Sequence, residues 1–369
     1  MIFKGFTKGK LDEAGVEKAF SKIKDPILQE DYLSLGAIQS INIGDSTLAV
    51  ELAIGYPFAS IKDDLESTIK GQLSELLKVD QISLVLESKI SGTAVEKTQS
   101  LAQVKNIIAV GSGKGGVGKS TTSINLALAL AAEGAKVGIL DADIYGPSQP
   151  QMLGVGKREP QIIDNKYMVP IEAHGLKSIS MGYLVTDKTP MVWRGPMVSS
   201  AFQQLVNQTF WGELDYLVID MPPGTGDIQL TLSQSVPVSG AVIVTTPQDI
   251  ALLDAKKGIE MFQKVNVPVL GVVENMATHI CTQCGHEEHI FGEGGGERIA
   301  KEYKTPLLGA LPLDLSIRED ADGGKPSVVA NPSSAITDIY KQIARRVGAQ
   351  LWHINKNAVA SPEIIMTDD

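Results

Sequence analysis

Residues 113–120 read G-K-G-G-V-G-K-S, directly after the apolar run 107–110, and helical spacing takes over at 119. Strand, glycine-rich loop and helix form the context in which this spacing binds phosphate. Gly113, Gly115, Gly116 and Gly118 carry no side chain, so the backbone N–H groups around Val117 are free to turn toward phosphate oxygens. The helix that follows adds the positive end of its dipole. Lys119 then meets the β- and γ-phosphates, and Ser120, with Thr121 beside it, offers a hydroxyl to Mg2+. ATP with Mg2+ is the expected ligand. Two acidic strand ends complete the chemistry, D-A-D at 141–143 and Y-L-V-I-D at 216–220. Ligand sites in open parallel sheets lie at the carboxyl ends of strands. Asp220 is expected to hold Mg2+, through water. Asp141 is either structural or near the metal.

A second lysine, Lys114, lies inside the loop. With it, K-G-G-V-G-K-S resembles the deviant Walker A loop of a dimeric ATPase class that includes the nitrogenase iron protein, the arsenite pump ATPase and the Min and Par ATPases. The resemblance implies a homodimer in which Lys114 reaches the partner's nucleotide. It also implies that Asp143 positions the attacking water. M-P-P-G-T-G-D at 221–227, ending on Asp227, resembles a switch loop that senses the γ-phosphate. Asn275, closing G-V-V-E-N, matches an asparagine that reads the adenine edge in related ATPases; a strand-end cap is the alternative.

The chain has two cysteines, Cys281 and Cys284, in C-x-x-C spacing. A redox dithiol would need a thioredoxin-like context, which is missing. Haem attachment needs His directly after the second cysteine, where Gly285 stands. Zinc is compatible with nearby His286 and His289, although they lie close in sequence for closing a tetrahedron. Two chains would offer four thiolates, enough for one 4Fe–4S cluster on a two-fold axis. Given the dimer implied by Lys114, the shared cluster is the economical reading; a bridging 2Fe–2S centre fits the same count. His279, His286 and His289 read as exposed loop residues first and as ligands second.

These groups must be held by elements. At 369 residues the chain has room for about two domains. Its composition, 43% hydrophobic and 21% charged, is that of a globular protein and excludes wholesale disorder. The net charge of −10 argues against a nucleic-acid footprint. Two cysteines exclude a disulfide framework, no apolar run reaches the ~20 residues that span a bilayer, and 1–12 has no signal-peptide core. A reducing cytoplasm is the expected location. Residues 1–88 alternate α-β-β-α-β, a small α+β domain, with a helix over 11–24 stopped at Asp25-Pro26. Residues 89–105 read as a polar linker. Over 106–350, apolar runs alternate with helical stretches, the pattern of a parallel sheet flanked by helices. Residues 351–369 read as a polar tail, of which 361–369 is also acidic, unlike a basic membrane-binding helix.

Taken together, K-G-G-V-G-K-S-T-T, D-A-D-I-Y-G-P-S, W-R-G-P-M at 193–197, L-D-Y-L-V-I-D-M-P-P-G-T-G-D at 214–227, E-N-M at 274–276 and the C-x-x-C followed by I-F-G-E-G-G-G resemble the Mrp/ApbC family of iron–sulfur cluster carrier ATPases, over about 105–345. The N-terminal domain resembles the MIP18-like (DUF59) domain, with K-D-P-I-L as its signature. The resemblance implies an α/β P-loop NTPase fold after a small α+β domain. It further implies a homodimeric, cytoplasmic ATPase that carries a 4Fe–4S cluster from donors to apo-proteins, with no nucleic-acid or membrane partner. Residues 1–92 hold no cysteine, so ligation of iron by cysteine there is excluded. Two rivals share the loop: a Min/Par-type spatial-organising switch, and a zinc-bridged regulatory ATPase.

Overall fold

The computed structural model describes residues 11–44, 47–93, 98–156, 158–164, 166–183, 195–281 and 283–359. The chain forms two compact units that divide between Ile90 and Ser91.

In the first unit, α1 (Glu13–Phe20) starts at Asp12, whose side chain accepts from Gly15 N. β1 (Ile38–Ile43), β2 (Thr47–Ile54), α2 (Lys62–Leu77) and β3 (Gln81–Ser88) follow, the expected α-β-β-α-β order. β1 runs antiparallel to β2 and β3 parallel to it. The first helix ends at Ser21, short of Asp25-Pro26. The buried Asp25 instead organises a turn: Oδ1 accepts from Ile27 N and Leu28 N, and Oδ2 from Tyr56 Oη at 2.7 Å.

The second unit opens with β4 (Val104–Gly111), α3 (Lys119–Ala132), β5 (Val137–Asp141) and α4 (Gln149–Met152). A hairpin, β6 (Ile162–Ile163) and β7 (Tyr167–Met168), precedes β8 (Ile171–Ala173) and β9 (Leu176–Ser180). Then come α5 (Gly195–Asn207), β10 (Leu214–Asp220), α6 (Asp227–Ser235), β11 (Gly240–Thr245), α7 (Asp249–Lys264) and β12 (Val269–Glu274). A second hairpin, β13 (His279–Ile280) and β14 (Glu287–Glu288), leads to α8 (Gly295–Tyr303), β15 (Leu307–Ala310), α9 (Leu315–Asp322), α10 (Ser327–Ala330) and α11 (Ala335–Val359).

Eight strands form one sheet in the order β15-β12-β11-β4-β10-β5-β9-β8. Every pairing in it is parallel except β8 with β9. The apolar runs explain this: every residue of β5 and β11 is buried, as strands covered on both faces require. β4 lies between β10 and β11, so the chain crosses to one side of it for β5 and returns on the other for β11. A crevice therefore opens at the carboxyl end of β4, where such sheets bind ligands.

The edges of this unit differ from the sequence reading. β4 begins at Val104, and Leu101 and Val104 are core residues, so the end of the polar 89–105 stretch is packed. The boundary drawn at 350 falls inside α11, which runs on to Val359 with Leu351 and Trp352 buried. Composition misses this because helical spacing turns only those few positions inward. Residues 184–194, which include the first two residues of W-R-G-P-M, and 360–369 lie outside the described residues. Among the described residues no helix is long and apolar enough to cross a membrane.

Candidate functional site

The phosphate loop leaves β4 at Gly111 and enters α3 at Lys119. Gly116 and Gly118 take φ of +81° and +82°, the left-handed region that favours glycine, and this turns the loop back on itself. Gly113 faces the backbone of Asp254 in α7, where any Cβ would collide. Val117 is buried and Gly115 exposed. Three hydrogen bonds tie the loop's surroundings: Ser112 Oγ donates to Lys114 O at 2.9 Å, Gly224 N to Ser112 O at 2.9 Å, and Met221 N to Val110 O at 3.1 Å. The expected switch segment thus hangs from the phosphate loop by its own backbone. Asp227 opens α6; its side chain lies outside the described residues. Lys114 is half-buried and, among the described residues, makes no ion pair. Thr121 lies in the first turn of α3, its Oγ1 toward Met152.

Lys119 and Asp220 meet at the bottom of the crevice. Lys119 Nζ lies 2.5 Å from Asp220 Oδ1 and 3.0 Å from Ser120 Oγ. One ammonium is thus held between a hydroxyl and a buried carboxylate, the oxygen donors expected for Mg2+. Ser123 Oγ also donates to Asp220 Oδ1, at 2.8 Å. The other oxygen, Oδ2, accepts from Gln149 Nε2 at 2.9 Å. Neither Ser123 nor Gln149 stood out in the sequence; Gln149 directly follows D-A-D-I-Y-G-P-S, which is the one signal it gives.

Two more carboxylates close on this pair. Asp143 Oδ1 accepts from Gly146 N at 3.3 Å. Burial pushes the Asp143 carboxyl up, Lys119 opposes that, and Asp220 adds to it. Asp141 is fully buried, and burial followed by the charge of Asp220 pushes its carboxyl up as well. It is spoken for by the backbone: Oδ1 accepts from Asp143 N, and Oδ2 from Ser148 N, Gln149 N and Ser180 Oγ. Of the two readings for Asp141, the structural one matches this geometry. Asp220 and Asp143 thus lie beside one ammonium, that of Lys119, with the Ser120 hydroxyl next to it.

Asn275 follows β12, and its Nδ2 donates to Val117 O at 2.9 Å. The amide therefore braces the phosphate loop, while its N–H caps Thr245 O at 2.7 Å. Met276 takes φ of +57° and turns the chain out of the sheet into the β13–β14 hairpin. The cysteines sit at the tip of that hairpin, Cys281 half-buried and Cys284 exposed. Cys281 N donates to His286 O, and Gly285 N donates back to Cys281 O. Hydrogen bonds from the Cys284 and Gln283 backbone, and from the Cys284 side chain, hold the Cys281 thiol below its usual range. His286 and His289 are exposed as expected, but His279 is half-buried with Nδ1 on Leu313 O; His289 Nδ1 contacts Ala277 O. Among the described residues, no group of three or more His, Cys, Asp or Glu side chains is arranged to hold a metal ion.

A glycine-rich loop between a parallel strand and a helix, with a lysine and two strand-end carboxylates converging on it, defines a P-loop nucleotide hydrolase. The chain belongs to the NUBPL iron-transfer P-loop NTPase family, which residues 103–348 match. Residues 13–84 match a second family, described as iron-sulfur cluster assembly protein. The iron-sulfur cluster carrier protein of Escherichia coli (strain K12) is 54% identical over 340 residues, 92% of each chain. The iron-sulfur cluster transfer protein NUBPL of Mus musculus is 51% identical over 266 residues, 72% of this chain and 83% of the mouse protein. Among solved structures, a nucleotide-binding protein from Archaeoglobus fulgidus in complex with ADP is 38% identical, with a TM-score of 0.57 over 64% of this chain and 92% of that one. The cell division ATPase MinD of Pyrococcus furiosus shares the fold alone, at 24% identity and a TM-score of 0.51 over 66% of this chain and 98% of that one.

Proposed function

We propose that this chain is an ATP-hydrolysing iron–sulfur cluster carrier. Two copies would hold one 4Fe–4S cluster on Cys281 and Cys284 of each, accept it from donors and pass it to apo-proteins in the cytoplasm. The observation that carries this reading is a continuous path between two sites. Asn275 grips Val117 O of the phosphate loop, and the same segment runs on into the hairpin that presents Cys281 and Cys284. A change at the nucleotide therefore has a short mechanical route to the thiols.

The dimer is inferred from incomplete sites. Two thiolates do not close the shell of a cluster, and four do. Lys114 has no partner of opposite charge in its own chain among the described residues, which leaves its ammonium for the partner's nucleotide. Tyr145, Ile250, Leu253, Ile280 and Ile290 are all exposed, on segments that leave the carboxyl ends of β5, β11 and β12. That is an apolar surface on the side of both sites, suited to a second copy.

In the nucleotide site, Lys119 would exchange Asp220 for β- and γ-phosphate oxygens. Ser120 Oγ and Asp220 would hold Mg2+, which when bound offsets the negative charge of the phosphates. Asp143, fixed by Gly146 N, would accept a hydrogen bond from the attacking water and orient it. Asp227 and the rest of 221–227 would sense the γ-phosphate through the Gly224–Ser112 link. Anaerobic reconstitution with iron and sulfide, followed by metal analysis and absorption spectroscopy, tests the cargo. One cluster per two chains is expected, and its loss in Cys281→Ala/Cys284→Ala. Undiminished loading in that variant overturns the reading, and colourless protein with bound zinc replaces it by the zinc-bridged one.

A further inference from the structure

We infer that Gln149 is a positioning residue of the nucleotide site: its Nε2 fixes Asp220, and its Oε1 accepts a hydrogen bond from a water bound to Mg2+. This rests on the assignment of Mg2+ to Ser120 and Asp220. Gln149 is 1% exposed. Its Nε2 lies 2.9 Å from Asp220 Oδ2 and 3.1 Å from Ser120 O. Both neighbours are acceptors, so the amide can have only its nitrogen on that side. The oxygen must face away, and there it is buried with no partner among the described residues. A buried amide oxygen without a donor is costly, and such atoms in folded proteins usually meet one. Ser148 Oγ, one residue earlier, is buried and unpartnered as well, so its hydroxyl does not donate to Gln149 Oε1.

The side chain has little freedom to seek a donor elsewhere. Ser148 N and Gln149 N are both held by Asp141 Oδ2, at 3.0 and 3.1 Å. A donor must therefore come to Gln149. Phosphate oxygens only accept, and Lys119 and Ser123 already donate to Asp220 Oδ1. Water on a magnesium ion remains. Mg2+ dehydrates reluctantly and keeps several waters when protein and phosphate supply the other ligands. Such waters are strong donors, and partners just outside the ligand shell orient it. The arrangement gives one amide two tasks: holding the Asp220 carboxylate in place and receiving a proton of the metal's hydration shell.

The test is the affinity of the full chain for a fluorescent ADP analogue, with Mg2+ and with a chelator. In the wild type, Mg2+ is expected to tighten binding; no gain overturns the metal assignment, and the inference with it. Gln149→Met keeps the volume and removes both polar ends. Its affinity with chelator should stay within about twofold of wild type, while its gain from Mg2+ falls about tenfold, the lower end of losses seen when partners of metal ligands are removed. Gln149→Glu keeps an acceptor but sets a second carboxylate against Asp220 Oδ2 in place of the donor, so it should lose the gain as well. A wild-type gain in Gln149→Met overturns the inference, because a merely structural amide would leave the ratio of the two affinities unmoved. A wild-type gain in Gln149→Glu overturns the holding of Asp220 by Nε2. Should Gln149→Met not fold, Gln149→Asn withdraws the same amide from Asp220 and carries the same expectations.

Discussion

In the proposed nucleotide site Lys119 and Asp143 have different tasks, and their variants should separate binding from chemistry. Lys119→Ala removes the buried cation beside Asp220, so nucleotide affinity and hydrolysis should both fall. Asp143→Asn keeps the shape and removes the carboxylate proposed to orient water. Binding should persist while turnover drops roughly 100-fold or more, the range for losing a positioned proton acceptor. Nucleotide titration and phosphate release on the same samples distinguish the two; equal loss of affinity in both contradicts this division. Asp141 has a pH signature instead. Burial and the charge of Asp220 raise its carboxyl above the ordinary 3.8. Above that value the unfolded chain has released the proton and the folded chain still holds it. The stabilisation is therefore present at low pH and lost as pH rises toward the folded value. Asp141→Asn cannot ionise, so its stability, measured by urea unfolding across a pH series, should depend less steeply on pH above about 4.

At the scale of elements, the sheet's neighbours are locked by buried polar contacts that patterning does not announce. Glu133, the residue that caps the end of α3, pairs with α11: Arg345 Nη1 lies 2.5 Å from Glu133 Oε1, with the Glu133 side chain fully buried. Arg345→Ala strips that carboxylate of its guanidinium. A loss of about 3–5 kcal/mol is expected, read as a lower denaturant midpoint for the second unit. Neither residue could be picked from the sequence, because their partnership depends on two helices separated by most of the unit. The same limit explains the other gaps. The phosphate loop and Asp220 were legible because strand, loop and acid are local in sequence. Gln149 was not, since its value comes from where α4 meets the end of β10. Asn275 was singled out for adenine through a resemblance, yet the contact it makes is to Val117, which only the β4–β11–β12 adjacency reveals. The continuation of α11 past 350 was hidden by polar composition around Leu351 and Trp352.

At the scale of the whole molecule, the question is whether the nucleotide and thiol sites act as one device. Ile250 and Leu253 are 69% and 58% exposed on the first turns of α7 and take no part in the hydrogen bonds made by Lys119. Ile250→Asp with Leu253→Asp should therefore give a monomer by light scattering that still binds ADP but loses the cluster, because one chain brings only two thiols. A dimer of undiminished cluster content would remove the apolar face from the proposal. Coupling is tested one step further on. Lys114→Ala leaves its own chain's loop glycines and Lys119 intact, so ADP affinity should hold while hydrolysis falls, if the ammonium acts on the partner's nucleotide. Neither Lys114→Ala nor Lys119→Ala alters a thiol, so both should accept a cluster when it is loaded chemically. Both should nonetheless activate an apo-protein more slowly than wild type when ATP is supplied, because the route from Val117 through Asn275 to the hairpin then carries no signal. Equal activation by all three proteins, at equal cluster content, would mean that hydrolysis and cluster delivery proceed independently on this chain.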